Sequence, residues 1–467
     1  MSCRTGMSGD RQTTSQRVQR IESRGIPERI APVRLMQQRD VNTEKPTYLR
    51  DRERVLYPRS TKTLAKVPVI GGTPISEETC TALRQLVFGS CASPPRSEWT
   101  RTGLTLRPGG QSLAFGLRVA RNSTRSLVTA VQAVMLKHFL FRTNKIVTSF
   151  ARPASPEALL KPNHERQVEV LSLSIAEVIW RCGGGDAKPS NAATAVNLAS
   201  TGGASSGVFV PKAVVVLPQE TPYVQHSVQY FQDGITETLH LYEFHSLEDL
   251  QIFVKRYLYL FHDEGGPGAI ILLYSAVLSR GLAKVRTDFE DQRTSMLGGS
   301  PEEGPMSVAT LLLTGRCSPH LHNGVLYVGD ENTYAVPRWG VLARSEVGIL
   351  VHEGDGADAD RQPGSRLKTP SLPIWLTLCQ GHYGVLFNMN RELLRNYHAE
   401  RRFEIQYYTC GGSHATLTVD TRASEDSSAD NAARDDQLVD VASTPLEKLI
   451  HTKWQDAQIQ WNGSPVL

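Results

Sequence analysis

The pattern of apolar and polar positions separates stretches that can order themselves from stretches that cannot. In "RSLVTAVQAVMLKHFLF", Arg125 to Phe141, helical spacing sends Leu127, Val131, Val134 or Met135, His138 and Phe139 toward a core. The polar residues before it supply Ser123 and Thr124, either of which suits the N-cap. A shorter helix is expected after Ser76, with Leu83, Leu86 and Val87 as its apolar face and Glu78 near the positive helix end. Ser246 is placed to cap "LEDLQIFVKRYLYLF", where Leu250, Phe253, Val254, Tyr257, Leu258 and Phe261 share one face.

Strand signals gather later in the chain. "AVVVLP", Ala213 to Pro218, reads as a short buried strand, and "TETLHLYEF", Thr236 to Phe244, alternates like a half-buried one. "PIWLTLCQGHYGVLFN", Pro373 to Asn388, reads as two strands joined by a tight turn at Cys379–Gly381. "RRFEIQYYTC" and "ATLTVDT" continue the series. Early helices and late strands predict an α+β fold with a mostly antiparallel sheet.

Three stretches are too poor in large apolar residues to order themselves: near 182–207, 352–366 and 424–437. They are expected to be mobile insertions. Order is expected to begin near Lys66, after a basic arm over residues 1–66.

Composition narrows the class. With 40% hydrophobic and 7% aromatic residues, the 467-residue chain suits a soluble globular protein with some disordered segments. The longest clean apolar run, Gly268 to Leu278, is far shorter than the ~20 residues that span a bilayer, so no membrane partner is expected. The amino-terminal stretch lacks a hydrophobic signal segment. Seven irregularly spaced cysteines point to a reducing compartment rather than a disulfide framework, hence a cytoplasmic or nuclear location. Residues 1–66 hold 15 Lys+Arg against 7 Asp+Glu, while the whole chain is only +4, so the body is mildly acidic. The arm's basic residues are scattered among acids, and its only aromatics are Tyr48 and Tyr57. Nucleic acid is therefore not expected as a partner.

Candidate chemistry is sparse. Cys317, His320 and His322 stand close together, but no second paired motif supplies a fourth zinc ligand, so no metal or other cofactor is expected. Cys379 lies three residues before His382, and strand alternation points their side chains to opposite faces or into the turn; Cys379 reads as a core thiol. "GGPGA", Gly265 to Ala269, reads as a turn.

One set of segments carries a specific resemblance. Phe115-Gly116-Leu117 precedes the helix, Ala130-Val131-Gln132 lies inside it, and "LVFGS" with Trp99, "LLYSAVLSRG", "LLLTGR", "LKTPSLPIWLTLCQGHYGVLF" and "TKWQDAQIQWNG" follow the same order from about Leu83 to Gly463. In this the chain resembles the MINDY deubiquitinases, and most closely the inactive "four-B" type of their fourth branch. The resemblance implies a papain-like cysteine-hydrolase fold over residues 67–467, with a nucleophilic cysteine at the start of the first long helix and a histidine on a later strand. In active relatives the helix is introduced by Tyr-Gly-Leu, a glutamine and Gly-Gly-Pro-Cys-Gly. Registering both ends puts Arg125 at the nucleophile, Val119 at the oxyanion-stabilising glutamine and His382 at the histidine.

A thiolate at a helix start gains from the dipole and from free backbone N–H groups. A guanidinium there has no lone pair to offer and can be neither base nor nucleophile. Ser123, Thr124 and Ser126 flank the position and read as capping residues. The resemblance therefore implies a catalytically inactive pseudo-deubiquitinase that binds ubiquitin or polyubiquitin. Two alternatives stand beside it: an active cysteine-type deubiquitinase of the degradative lysine-linked chain using Cys91 or Cys182, and a scaffold without ubiquitin contact. Asn388 and Glu404 lie on expected strands as candidates for a third triad member.

Overall fold

The helix expected after Thr124 forms over Arg125–Leu140 and is buried nearly all round, from Ser126 to Leu136 and again at His138 and Phe139. A helix apolar on every face has to be enclosed, and neighbours on both sides do this. The helices His164–Cys182 and Met306–Thr314 pack on it, as do two strands of the main sheet. The computed structural model describes residues 66–142, 155–185, 210–225, 227–289, 295–299, 301–329, 336–354, 362–422 and 443–463.

The strands are β1 (Thr73–Pro74), β2 (Thr105–Leu106), β3 (Leu117–Arg118), β4 (Ala213–Pro218), β5 (Leu239–Phe244), β6 (Val325–Val328), β7 (Val336–Trp339), β8 (Gly348–His352), β9 (Ile374–Cys379), β10 (His382–Phe387), β11 (Arg402–Tyr408), β12 (His414–Asp420) and β13 (Gln458–Trp461). The main sheet runs β13-β12-β11-β10-β9-β8, and a smaller one runs β1-β5-β4. All pairings in both are antiparallel except β8 with β9. The molecule is thus α+β with a mostly antiparallel sheet.

Alternation along the main sheet divides its side chains between two cores. Ile374, Leu376, Leu378, Tyr383, Val385 and Phe387 face the side of the helix Arg125–Leu140. Trp375, Leu386, Ile405, Tyr407 and Leu417 face the opposite side, covered by the helix Pro445–His451. This two-sided burial explains the near-continuous apolar reading of "IWLTLC". The smaller sheet rests through β4 on the helix Gly268–Arg280, which holds the longest apolar run. Among the described residues no single helix is long and apolar enough to cross a membrane.

Several boundaries differ from the pattern-based expectation. Ser76 and Ser246 do cap helices, accepting from the N–H groups of Thr79 and Asp249. The helix after Ser246 stops at Arg256, and a short one resumes over Tyr259–His262, because the bend lets Tyr257, Leu258 and Phe261 all reach the core. Thr236–Thr238 is a 3-10 turn; the strand begins only at Leu239, since Glu237 turns inward to accept backbone N–H groups. Cys182 is the last residue of a helix and His352 the last of β8, so the insertions expected there begin later. Ser365–Lys368 is helical, which ends the second insertion earlier than residue 366. Residues 1–65, 186–209, 355–361 and 423–442, where the arm and most of the insertions were expected, lie outside the described residues.

Candidate functional site

Two of the segments flanking the helix start are bound to each other. Gln132 lies within the helix, fully buried; its Oε1 accepts the Leu117 N–H at 2.6 Å and its Nε2 donates to the Phe115 carbonyl at 3.0 Å. Gly116 between them has no room for a side chain, since a Cβ would lie 2.1 Å from the Tyr408 hydroxyl oxygen. Tyr408 in turn donates to the Leu117 carbonyl at 2.6 Å. The helix, the segment before it and the end of β11 are thereby held in one register.

The expected side-chain cap is absent. Thr124 occupies the N-cap position, but its hydroxyl and its N–H both go to Asn122 Oδ1 at 2.6 and 2.9 Å. Ser123 accepts from the indole of Trp99 at 2.8 Å and donates to Glu98. The first-turn amides find partners elsewhere: Arg125 N–H donates to the Asn122 carbonyl at 3.1 Å, and Ser126 N–H to the Glu303 carbonyl at 2.9 Å. A helix start that could have cradled an oxyanion has already spent these donors.

The segment that takes them is Pro301-Glu302-Glu303-Gly304-Pro305, leading into the helix Met306–Thr314. Gly304 has φ +92°, and a Cβ on it would lie 2.2 Å from the Ser123 carbonyl oxygen. Only glycine permits so close an approach at that conformation. The approach drives Glu303, with no exposed side-chain surface, between the helix start and β10. Its Oε1 lies 2.9 Å from Arg125 Nη1, 3.4 Å from Arg121 Nε and 3.1 Å from His382 Nδ1. Its Oε2 accepts the Tyr383 N–H at 2.8 Å. The burial of this carboxylate is offset by cations and an amide on both of its oxygens.

His382 opens β10 after a two-residue turn in which Gln380 and Gly381 both take positive φ, 46° and 81°. Cys379 pairs directly with His382 across this hairpin, so their side chains share a face; the expected separation by alternation is corrected. The Cys379 thiol is buried, and burial pushes it up to about 12. Val119 is buried too, with its N–H donating to the Cys410 carbonyl at 3.1 Å. Cys410 was not a sequence candidate. It lies after β11, 3.8 Å from Thr129 Oγ1 on the helix, with its thiol pushed up to about 11, chiefly by burial.

The other candidates lie apart from this cluster. Cys182 donates to the Leu311 carbonyl and Cys91 to the Gln229 carbonyl. Asn388 follows the far end of β10, about 20 Å along the strand from His382, and donates to the Glu404 carbonyl. Neither it nor Glu404 orients the imidazole; Glu303 does. Proximity in sequence gave no hint of this, because Glu303 is 79 residues from its histidine. The only local signal was an acidic pair locked between prolines and glycine ahead of an apolar helix. Gly265–Ala269 forms a turn entering the helix Gly268–Arg280, with the Gly266 N–H on the Asp263 carbonyl. Among the described residues no group of three His, Cys, Asp or Glu side chains is placed to hold a metal ion.

The family model described as "Deubiquitinating enzyme MINDY-3/4, conserved domain" matches residues 84–463. The chain belongs to the MINDY-3/4 family. Among its relatives is the mouse "Probable ubiquitin carboxyl-terminal hydrolase MINDY-4", 32% identical over 402 residues, covering 84% of this chain and 47% of the relative. Its human counterpart is 30% identical over 402 residues, covering 84% and 46%. The human "Ubiquitin carboxyl-terminal hydrolase MINDY-3" is 27% identical over 129 residues, 27% of each chain. The chain spans about half the length of the MINDY-4 relatives it matches. No solved structure matches. The site around Glu303 therefore lies inside a domain homologous to MINDY-type ubiquitin carboxyl-terminal hydrolases.

Proposed function

We propose that this MINDY domain is catalytically silent and that it binds ubiquitin or polyubiquitin without cutting it. The observation that carries the reading is the Glu303 carboxylate, whose single Oε1 meets both the Arg125 guanidinium and the His382 imidazole. If Arg125 stands where active relatives hold their cysteine, a permanent cation and its counter-ion fill the space a thiolate would need. Val119, read at the position of the oxyanion-stabilising glutamine, offers no side-chain donor. The Ser126 N–H is engaged by the Glu303 carbonyl. The thiols nearest in the fold, Cys379 and Cys410, are buried with raised pKa values and are poor nucleophiles at neutral pH.

Ubiquitin as partner is supported by family membership and by relatives named as ubiquitin carboxyl-terminal hydrolases. Titrating isotope-labelled ubiquitin, and separately ubiquitin dimers of defined linkage, with the full chain is the test. Saturable shifts confined to one ubiquitin surface, with the dimers uncut, are expected. Unchanged spectra at millimolar concentration would turn the reading toward a scaffold, and accumulating monomer would turn it toward an enzyme.

A further inference from the structure

About 18 Å along the helix from Arg125, by its rise over the twelve residues to Lys137, the fold leaves a second polar centre that the Glu303 cluster does not use. A cavity of about 350 Å³ opens beside Lys137 and His138, walled by Glu177 of the helix His164–Cys182 and by the apolar side chains of Phe141, Leu247 and Leu372. That volume suits a small organic molecule.

The charges inside are settled among themselves. Glu177 Oε1 lies 2.8 Å from Lys137 Nζ and 2.5 Å from Arg181 Nη2, while Oε2 lies 2.9 Å from His138 Nε2. Burial alone would raise the Glu177 carboxyl, but His138, Arg181 and Lys137 hold it well below the usual carboxylate range. Lys137 also reaches Glu346, the cavity's other acid, at 2.5 Å.

The mouth is different. Arg142, Arg391 and Arg395 line it, and the two carboxylates of the cavity are already taken by cations deeper in. Arg395 has only Glu392 at 3.9 Å, and Arg142 and Arg391 make no ion pair among the described residues. Three guanidiniums with surplus positive charge at one opening favour an anion with several acceptor oxygens. His138, only 5% exposed, also borders the cavity and keeps its Nε2 on Glu177.

We propose that this cavity binds a small organic phosphate, its phosphate held by Arg142, Arg391 and Arg395 and its apolar or aromatic body seated against Phe141, Leu247 and Leu372. The site is independent of the Glu303 cluster, and its existence does not depend on whether ubiquitin binds.

The test is calorimetric titration of the full chain with phenyl phosphate, inorganic phosphate and benzoate, alongside the Arg391→Gln, Arg395→Gln double variant. Both arginines are exposed, so the variant's melting temperature should match the parent. Phenyl phosphate should bind at one saturable site. Inorganic phosphate and benzoate should each bind at least about tenfold more weakly, and the variant should lose at least about tenfold in affinity, as expected for lost charge-assisted hydrogen bonds. The His138 imidazole resonances should move with phenyl phosphate and stay fixed in the variant. Three results would overturn the proposal: no saturation by phenyl phosphate up to millimolar concentration, equal affinity for inorganic phosphate, or unchanged affinity in the variant.

Discussion

Arg125 and His382 meet on one atom. Arg125 Nη1 and His382 Nδ1 lie 2.9 and 3.1 Å from the same Oε1 of Glu303, a side chain with no exposed surface. A helix start and a strand end that a cysteine hydrolase would couple through a reacting thiol are coupled here through a carboxylate. Arg125 itself keeps only 12% of its side chain exposed. Removing the charge of Glu303 would leave a nearly buried guanidinium without its counter-ion. Glu303→Gln should therefore destabilise the domain by about 2–4 kcal/mol, somewhat below the usual cost of breaking a fully buried pair. Urea unfolding monitored by circular dichroism would measure it, as a lower midpoint at unchanged slope.

Restoring the thiol alone should not restore its reactivity. In the Val119→Gln, Arg125→Cys variant the new sulfur would face the Glu303 carboxylate, and a like charge disfavours the thiolate. Labelling by a ubiquitin electrophile probe should stay slow. Adding Glu303→Gln should speed labelling by about tenfold, the change that one pKa unit in the thiol gives. Fast labelling of the two-substitution variant would show that the carboxylate does not control the site.

Native thiols make a simpler test of the same chemistry. Cys379 and Cys410 are buried, with thiols pushed up to about 12 and about 11, whereas Cys91 is partly exposed. Iodoacetamide at pH 8 followed by peptide mass spectrometry should modify Cys91 first among the six cysteines described, and leave Cys379 and Cys410 unmodified until the fold opens.

Acid should loosen the far end of the central helix. Glu177 is held well below the usual carboxylate range by His138, Arg181 and Lys137 against the opposing effect of burial. A depressed folded pKa means that its contribution is fully present above the unfolded value of about 4.3 and is lost as pH falls toward the folded one. Stability measured by urea unfolding should decline below about pH 4, and Glu177→Gln should flatten that decline while lowering stability at neutral pH. An acid limb as steep in the variant as in the parent would assign the loss to other groups.

Where side-chain periodicity alone decides an element, the chain was legible. The helix after Thr124, the caps at Ser76 and Ser246, the strand Ala213–Pro218 and the turn expected at Cys379–Gly381, which forms at Gln380–Gly381, follow from local spacing and local chemistry. The cap of the central helix was not legible, because its amides are satisfied by a carbonyl from residue 303 rather than by Ser123 or Thr124. Counting along one strand sends Cys379 and His382 to opposite faces or into the turn, whereas a two-residue hairpin pairs them directly. Glu303 was missed for the same kind of reason: its role comes from a loop whose glycine at φ +92° permits contact with a helix far away in sequence. The family could be read from flanking blocks such as Phe115-Gly116-Leu117, and Gln132 shows what ties them physically. What fills the space between the blocks depended on tertiary contact.

Catalytic silence is open to a direct assay: prolonged incubation of the unmodified full chain with polyubiquitin of each linkage, followed on denaturing gels. The expected result is intact chains after hours at micromolar protein, indistinguishable from buffer alone. Release of ubiquitin monomer in proportion to protein concentration, abolished by thiol alkylation, would show that the domain is an active thiol hydrolase.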